Sequence, residues 1–368
     1  MPSSPPTMPS FLLLATLFAS LLSTAIAQTW TACNPLEKDD CPRNPALGTS
    51  YQANFTDTLN EVIWNITNGQ LDYIDGVGTS FSIKERLQSP TIQSHFYIFF
   101  GRVEVIMKAA FGRGVVSSIV LQSEDLDEID WEWVGSDTTH VQTNYFGKGN
   151  RTLGDRGGVH EMDAPMDKFH NYTVDWTAER FQWWIDDTLL RTVTYDEALG
   201  GKNYPQTPMT VRMGIWPAGD KKNEKGTIEW AGGEIDYSKV PYFMTVKHVR
   251  VEDYSSGKEY EYTDRSGSWQ SIKVINGTSY LAEEAHKPPP KSLSQKWREL
   301  PQGAKIAVYS SAGGVALVGL LVLLFCCVKQ RRAGRREFAL QESKFTTEQN
   351  DMITMQTQWK KKHYQEIR

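Results

Sequence analysis

Histidine and cysteine are scarce in this chain, with seven His and four Cys in 368 residues. Cys33 and Cys41 stand close together with no His beside them, which leaves a zinc site without a ligand set. Neither His95 nor His170 is matched with a suitable Ser or Cys, so a nucleophile–His triad has no support. Helical periodicity is equally sparse between Thr49 and Ile275, which argues against a helical architecture there. Positive charge is missing at the start: no Lys or Arg precedes the apolar run at residues 10–27. The positive end of an export signal would then rest on the α-amine alone.

That run closes with Ala25-Ile26-Ala27 and reads as a secretory signal cut before Gln28, with a signal anchor as the competing reading. Export agrees with Cys33 and Cys41, whose disulfide would close a small loop containing Asn34-Pro35. Five glycosylation sequons, at Asn54, Asn65, Asn150, Asn171 and Asn276, all fall between the two apolar ends. The second apolar run, Ile306 to Val328, has 23 residues and no charge, enough to cross a bilayer. Lys329, Arg331, Arg332, Arg335 and Arg336 follow directly, which predicts a cytosolic C-terminus and contact with anionic lipid. Cys326 and Cys327 at that edge are either acylation candidates or small apolar filler.

Net charge divides at the membrane. The tail from Lys329 holds ten basic and five acidic residues, near +5, which leaves about −10 of the formal −5 total for the rest. An exported part of that sign is not a nucleic-acid binder. The expected layout is a signal at 1–27, a β-sandwich domain at 28–280 and a short stalk at 281–305 containing Pro288-Pro289-Pro290. A membrane helix at 306–328 and a disordered basic tail at 329–368 complete it.

From Thr49 to Ile275 short runs of β-branched and aromatic residues are broken by Gly, Asn, Asp and Pro, which predicts an all-β sandwich. Phe96 to Val105 is expected as a long strand or a pair, and Asn171 to Leu190 as a hairpin turning at Thr177-Ala178-Glu179-Arg180. The chemistry concentrates in Asp127-Glu128-Ile129-Asp130-Trp131-Glu132, extended to Trp133. Acidic and bulky residues alternate there with the period of a strand, so Glu128, Asp130 and Glu132 share one face. Carboxylates at roughly 6.6 Å intervals repel one another, and solubility alone would not stack them. The bland alternative is a solvated acidic edge strand. The chemistry that wants such crowding is glycoside cleavage with retention, whose two carboxyl groups sit about 5–5.5 Å apart. It requires no cofactor or metal ion.

The hexad resembles the E-I-D-x-E signature of glycoside hydrolase family 16 in its form without a bulge residue. Within that family the chain is most similar, over roughly residues 28–275, to fungal Crh-type cell-wall transglycosylases, which relink chitin to β-glucan. The resemblance implies a jelly-roll, concanavalin-like sandwich with a concave substrate cleft. It also implies Glu128 as nucleophile, Asp130 as its helper and Glu132 as acid/base. The stretch from Arg212 to Gly233 resembles the family's substrate segment, implying that Arg212, Trp216 and Thr227 line the chitin-binding side, with Trp230 and Tyr145 as further platforms. Gly and Pro around Trp216 and Trp230 predict a rigid loop with exposed rings, the alternative being that both rings are core. Gln142, Asn144 and Tyr145 are expected at the cleft, on the strand after the acidic one. The implied partners are a chitin donor and a β-glucan or chitin acceptor. A plain endo-β-glucanase on the same fold and a wall-binding membrane lectin or sensor remain as other readings. A damaged carboxylate ladder would mark the lectin, and this ladder is complete.

Overall fold

The computed structural model describes residues 31–56, 58–152, 156–287 and 293–365. The expected signal segment and Pro288-Pro289-Pro290 lie outside the described residues. The chain divides into two compact units, Met1–Pro290 and Lys291–Arg368.

The first unit is a sandwich of two antiparallel sheets. One runs, from edge to edge, Gly158–Glu161, His140–Phe146, Glu128–Val134, Val116–Ser123, Met209–Trp216, Thr91–Ser94 and Trp64–Asn68. The other runs Thr188–Thr194, Arg180–Ile185, His170–Trp176, Gly101–Lys108, Tyr242–Asp253, Gly78–Ile83 and Leu71–Ile74, with Ser50–Asn54 paired to Tyr242–Asp253. A small third sheet joins Asn44–Pro45, Glu259–Tyr262 and Ile272–Ile275.

The alternating strands bury their apolar faces between the two main sheets. Ile129, Trp131 and Trp133 point into that core, where Trp131 and Trp133 stack at 6.0 Å and Tyr172 of the opposite sheet meets Trp133 edge-on at 4.4 Å. Trp183 crosses the same interface and donates its Nε1–H to the Asp130 carbonyl at 3.0 Å, tying the second sheet to the acidic strand. The strands His170–Trp176 and Arg180–Ile185 form the expected hairpin. Arg180–Ile185 then turns through Asp186-Asp187, both with positive φ (47° and 67°), into Thr188–Thr194. Positive φ at both centres is the two-residue turn whose twist matches that of paired strands.

Two expectations need correction. Phe96 to Val105 is not one strand: Ile98 makes a single bridge to Met209, Phe100 takes φ 58°, and the regular strand begins only at Gly101. The ring of Phe100 turns back to stack on Phe99 at 4.7 Å and to meet Trp176 at 4.8 Å, so side-chain packing ends the extended run. The boundary drawn at residue 280 falls inside the helix Tyr280–Ala285, whose Leu281 and Ala282 are buried and whose Ser279 caps Ala282 N and donates to the Ala46 carbonyl. The first residues of the presumed stalk are therefore part of the sandwich.

The second unit holds the helices Leu293–Glu299 and Gln302–Gln365, the latter 64 residues long. Among the described residues this is the one helix long and apolar enough to cross a membrane, and it contains the expected span. The tail continues as helix where disorder was expected. From Lys329 it lacks proline, has one glycine, and is rich in Gln, Lys, Arg and Glu, all good helix formers. Thr346, Thr347, Thr354 and Thr357 donate to carbonyls four residues back, which reconciles them with a helix interior.

Candidate active site

The acidic strand Glu128–Val134 is buried along its whole length and has a partner on each side, His140–Phe146 and Val116–Ser123. That excludes the solvated edge strand, because an edge has only one neighbour. Glu128, Asp130 and Glu132 are 2%, 2% and 7% exposed and lie on the face away from the core. Burial raises all three carboxyls above the ordinary range, since a charged carboxylate loses its water there. Glu128 rises well above it, pushed by burial and by the charges of Asp130 and Glu132, while Arg212 pulls it back. Asp130 is pushed up to about 6 by burial. Glu132 is raised well above the carboxylate range by burial and by Asp130. Glu128 and Asp130 bear directly on one another's ionisation, the Asp130 charge raising Glu128 further. Burial and mutual repulsion thus oppose full ionisation of the ladder and favour a proton on Glu132.

Register carries this face sideways across the sheet. Opposite Glu132 lies Ser118, then Gly214, then Thr91; opposite Asp130 lie Val120, Arg212 and Gln93; opposite Glu128 lie Gln122 and Thr210. A cavity of about 210 Å³ opens over these rows, walled by Glu132, Gln122, Arg212 and Trp216 and reaching the edge strand at Thr67 and Asn68. Gly214 keeps its floor low: a Cβ there would meet Thr91 Oγ1 at 2.6 Å.

Arg212 and Trp216 therefore stand with Glu132 in one wall. Arg212 donates to Gln122 Oε1 and to Thr210 Oγ1, which fixes the guanidinium near Glu128. Trp216 is 8% exposed and stacks on Trp230 at 6.1 Å, and Trp230 donates its Nε1–H to Gln142, the partner of Glu132 on the neighbouring strand. These rings end a strand and a short helix, Lys225–Trp230, instead of riding on an exposed loop. Two expected cleft residues are not brought there. Tyr145 opposes Ile129, so it points into the core and meets Phe181 edge-on at 5.1 Å. Gln142 and Asn144, one residue to either side of Thr143, take the cleft face, and Tyr145 has the opposite parity. Thr227 is 4% exposed inside the short helix and is not part of the cavity wall. His170 is a rim residue, its Nδ1 held by Asp186 at 2.6 Å.

Two features escaped the sequence reading. Gln122 sits beside Glu128 and positions Arg212; its strand parity with Ser118 and Val120 could have flagged it once the pairing was known. Asp127 anchors the start of the acidic strand: its carboxylate accepts from Lys148 N and Gln206 N at 2.8 Å and from Thr207 Oγ1 at 2.9 Å. Burial and the neighbouring Asp125 push Asp127 up to about 7. The disulfide Cys33–Cys41 is present, as expected.

The model of glycosyl hydrolases family 16 matches residues 58–232, which include the acidic strand and the cavity wall. A Crh-like protein of Arthroderma benhamiae is 62% identical over 347 residues, covering 94% of this chain and 95% of the relative. The chain belongs to glycosyl hydrolase family 16. Crh-like protein 3 of Aspergillus fumigatus is 54% identical over 356 residues, covering 96% of this chain and 97% of that family member. Among solved structures, a Crh5 transglycosylase in complex with NAG is 52% identical with a TM-score of 0.64, covering 66% of this chain and 99% of that one. The apo form of the same enzyme aligns with a TM-score of 0.63. The sandwich is thus the jelly roll of family 16, with the acidic strand third from one edge of the cleft-bearing sheet.

Proposed function

We propose that this family 16 enzyme is a retaining transglycosylase that cleaves chitin and transfers the chain to β-glucan or chitin acceptors, cross-linking a fungal cell wall. The observation that carries this reading is the buried ladder of Glu128, Asp130 and Glu132 on one face of a central strand, with Glu132 in the wall of an open cavity.

In the first step the Glu128 carboxylate attacks the anomeric carbon while Glu132 gives its proton to the leaving oxygen, breaking the glycosidic bond. Arg212 favours the ionised form of Glu128. Burial and the Asp130 charge keep Glu132 protonated for its role as acid. In the second step the Glu132 carboxylate takes a proton from an acceptor hydroxyl, whose oxygen attacks the same carbon and releases Glu128. Arg212, Gln122 and Gln142 supply polar edges for sugar hydroxyls, and the Trp216–Trp230 pair supplies an apolar face for a pyranose ring.

The polar orientation we assign is that of a type I membrane protein. The sandwich faces the wall, the segment 306–328 spans the bilayer, and the basic helix beyond it meets anionic lipid on the cytosolic side.

The test is product analysis with chitin oligomers as donor and a labelled glucan oligomer as acceptor. Labelled hybrids are expected. Reducing-end release without hybrids would replace transfer by hydrolysis, and bound but uncleaved sugar in wild type would leave only a lectin. Glu128→Gln should abolish both products while retaining sugar binding, because the change is nearly isosteric.

A further inference from the structure

Of the five sequons, Asn65-Ile66-Thr67 alone lies in a strand of the cleft-bearing sheet. The others sit elsewhere: Asn54 and Asn171 in the opposite sheet, Asn150 in the turn after His140–Phe146, and Asn276 after the last strand of the small sheet. Asn65 is in the edge strand, and its register is informative. Asp130 opposes Val120, Val120 opposes Arg212, Arg212 opposes Gln93, and Gln93 opposes Asn65. Residues facing one another across a ladder share a face, so Asn65 stands on the same face as the carboxylates, at the far end of the Asp130 row. Its neighbours in the strand agree: Trp64 is in the core on one side, while Thr67 and Asn68 line the cleft cavity. Four strand spacings of ~4.8 Å put its backbone about 19 Å from that of Asp130, a span of a few sugar rings. The Asn65 side chain is exposed and makes no hydrogen bond among the described residues, whereas Asn54 is engaged by His248 and Asn150 by Thr152.

We infer that Asn65 carries an N-linked oligosaccharide that closes the edge-strand end of the cleft and limits the length of chain bound on that side. The modification is a group transfer. The Asn65 Nδ2 attacks C1 of a lipid-pyrophosphate-linked oligosaccharide, the C1–O bond to phosphate breaks, the amide loses one proton and the lipid pyrophosphate leaves. A glycan fixed there is a hydrated, bulky group at the mouth beside Thr67 and Asn68. Sugar subsites between Glu132 and Gly214 stay open, and a longer chain has to displace the glycan or bend away from it. The inference rests on the cleft being a polysaccharide site, and the experiment separates the two.

The full-length protein is purified from membranes of a secreting fungal host in wild-type, Asn65→Gln and Asn276→Gln forms. The Asn276 variant is the control that loses a distant sequon. Mass spectrometry of the Asn65 peptide, with and without peptide N-glycosidase, reads occupancy. Affinity for chitin oligomers from dimer to octamer is read by tryptophan fluorescence with Glu128→Gln added to every form, so that turnover does not intervene. Asn65→Gln is expected to bind short oligomers as wild type does and the longest about fivefold more tightly, the gain of roughly one net hydrogen-bonding subsite. Asn276→Gln should match wild type throughout. Endoglycosidase trimming of the folded wild-type protein should reproduce the Asn65→Gln profile, which removes misfolding as an explanation. An unmodified Asn65 peptide, or identical length profiles in all forms, overturns the inference. Hybrid products from the same forms made without Glu128→Gln, with identical binding profiles, would leave the enzyme reading standing and the glycan boundary refuted. Absence of oligomer binding in every form would refute both.

Discussion

Replacing Asp130 by asparagine should stabilise the sandwich and damage catalysis at once. Asp130 is buried at the centre of the acidic strand, and its carboxyl sits at about 6 against an ordinary 3.8. At ~1.4 kcal/mol per pH unit, that displacement costs the folded state about 3 kcal/mol once the pH exceeds both values. The sign follows from the direction. A carboxyl raised on folding contributes its full stability below the unfolded value near 3.8 and loses it as pH rises through the folded value near 6. Asparagine does not titrate, so the variant and wild type should melt together near pH 3 and separate between pH 4 and 6. Above pH 7 the difference should not shrink, because the variant also relieves Glu128 and Glu132 as they ionise. For a domain of about 250 residues, ~3 kcal/mol corresponds to roughly 6–12 °C in Tm. Removing Asp130 also relieves Glu128 and Glu132, both of which its charge pushes upward, so the gain is not smaller than this. The Trp183 bond to the Asp130 carbonyl survives the substitution, because it uses the backbone. The assay is tryptophan-detected melting of the detergent-solubilised protein across pH 3 to 8, alongside turnover. Turnover should fall by about 10²–10⁴, the scale of a group that manages a proton in the reaction. A variant no more stable than wild type at pH 8, or equally stabilised at pH 3, would refute the argument from burial and crowding.

Trp216→Ala should weaken binding of a chitin oligomer by about 1–3 kcal/mol, the scale of one lost aromatic platform, whereas Tyr145→Phe should leave affinity unchanged because that ring faces the core; isothermal titration distinguishes them. Asp127→Ala strands three donors, from Lys148, Gln206 and Thr207, the last two in buried bonds, and should lower stability by about 2–4 kcal/mol in denaturant titration, with catalysis lost before the fold. Cys33→Ser opens a disulfide spanning eight residues in sequence, for which loop entropy predicts about 2–3 kcal/mol. Melting of the variant should match that of reduced wild type.

The carboxylate ladder was readable from the chain because strand periodicity is a local property. Alternation over Glu128 to Trp133 assigns one face to Glu128, Asp130 and Glu132 and the other to the tryptophans, whatever the rest of the fold does. The same logic, carried one residue further on the next strand, separates Tyr145 from Gln142 and Asn144, and the error there was one of parity. Thr227 and the two cleft tryptophans were harder. Whether a ring in a Gly- and Pro-rich stretch faces sugar or core depends on what the stretch packs against, and Trp216 meets Trp230 across a strand end and a helix.

What the amino-acid order alone determined is the set of short-range relations: shared faces within a strand, the Cys33–Cys41 loop, the 23 uncharged residues from Ile306, and the sequons. Only the tertiary structure decided the lateral relations. Arg212 reaches Gln122 across 90 residues, Asp127 is held by Thr207 across 80, and Asn65 joins the cleft face through three intervening strands. Register between distant strands comes from burying every apolar face at once, and no local stretch of chain encodes that choice.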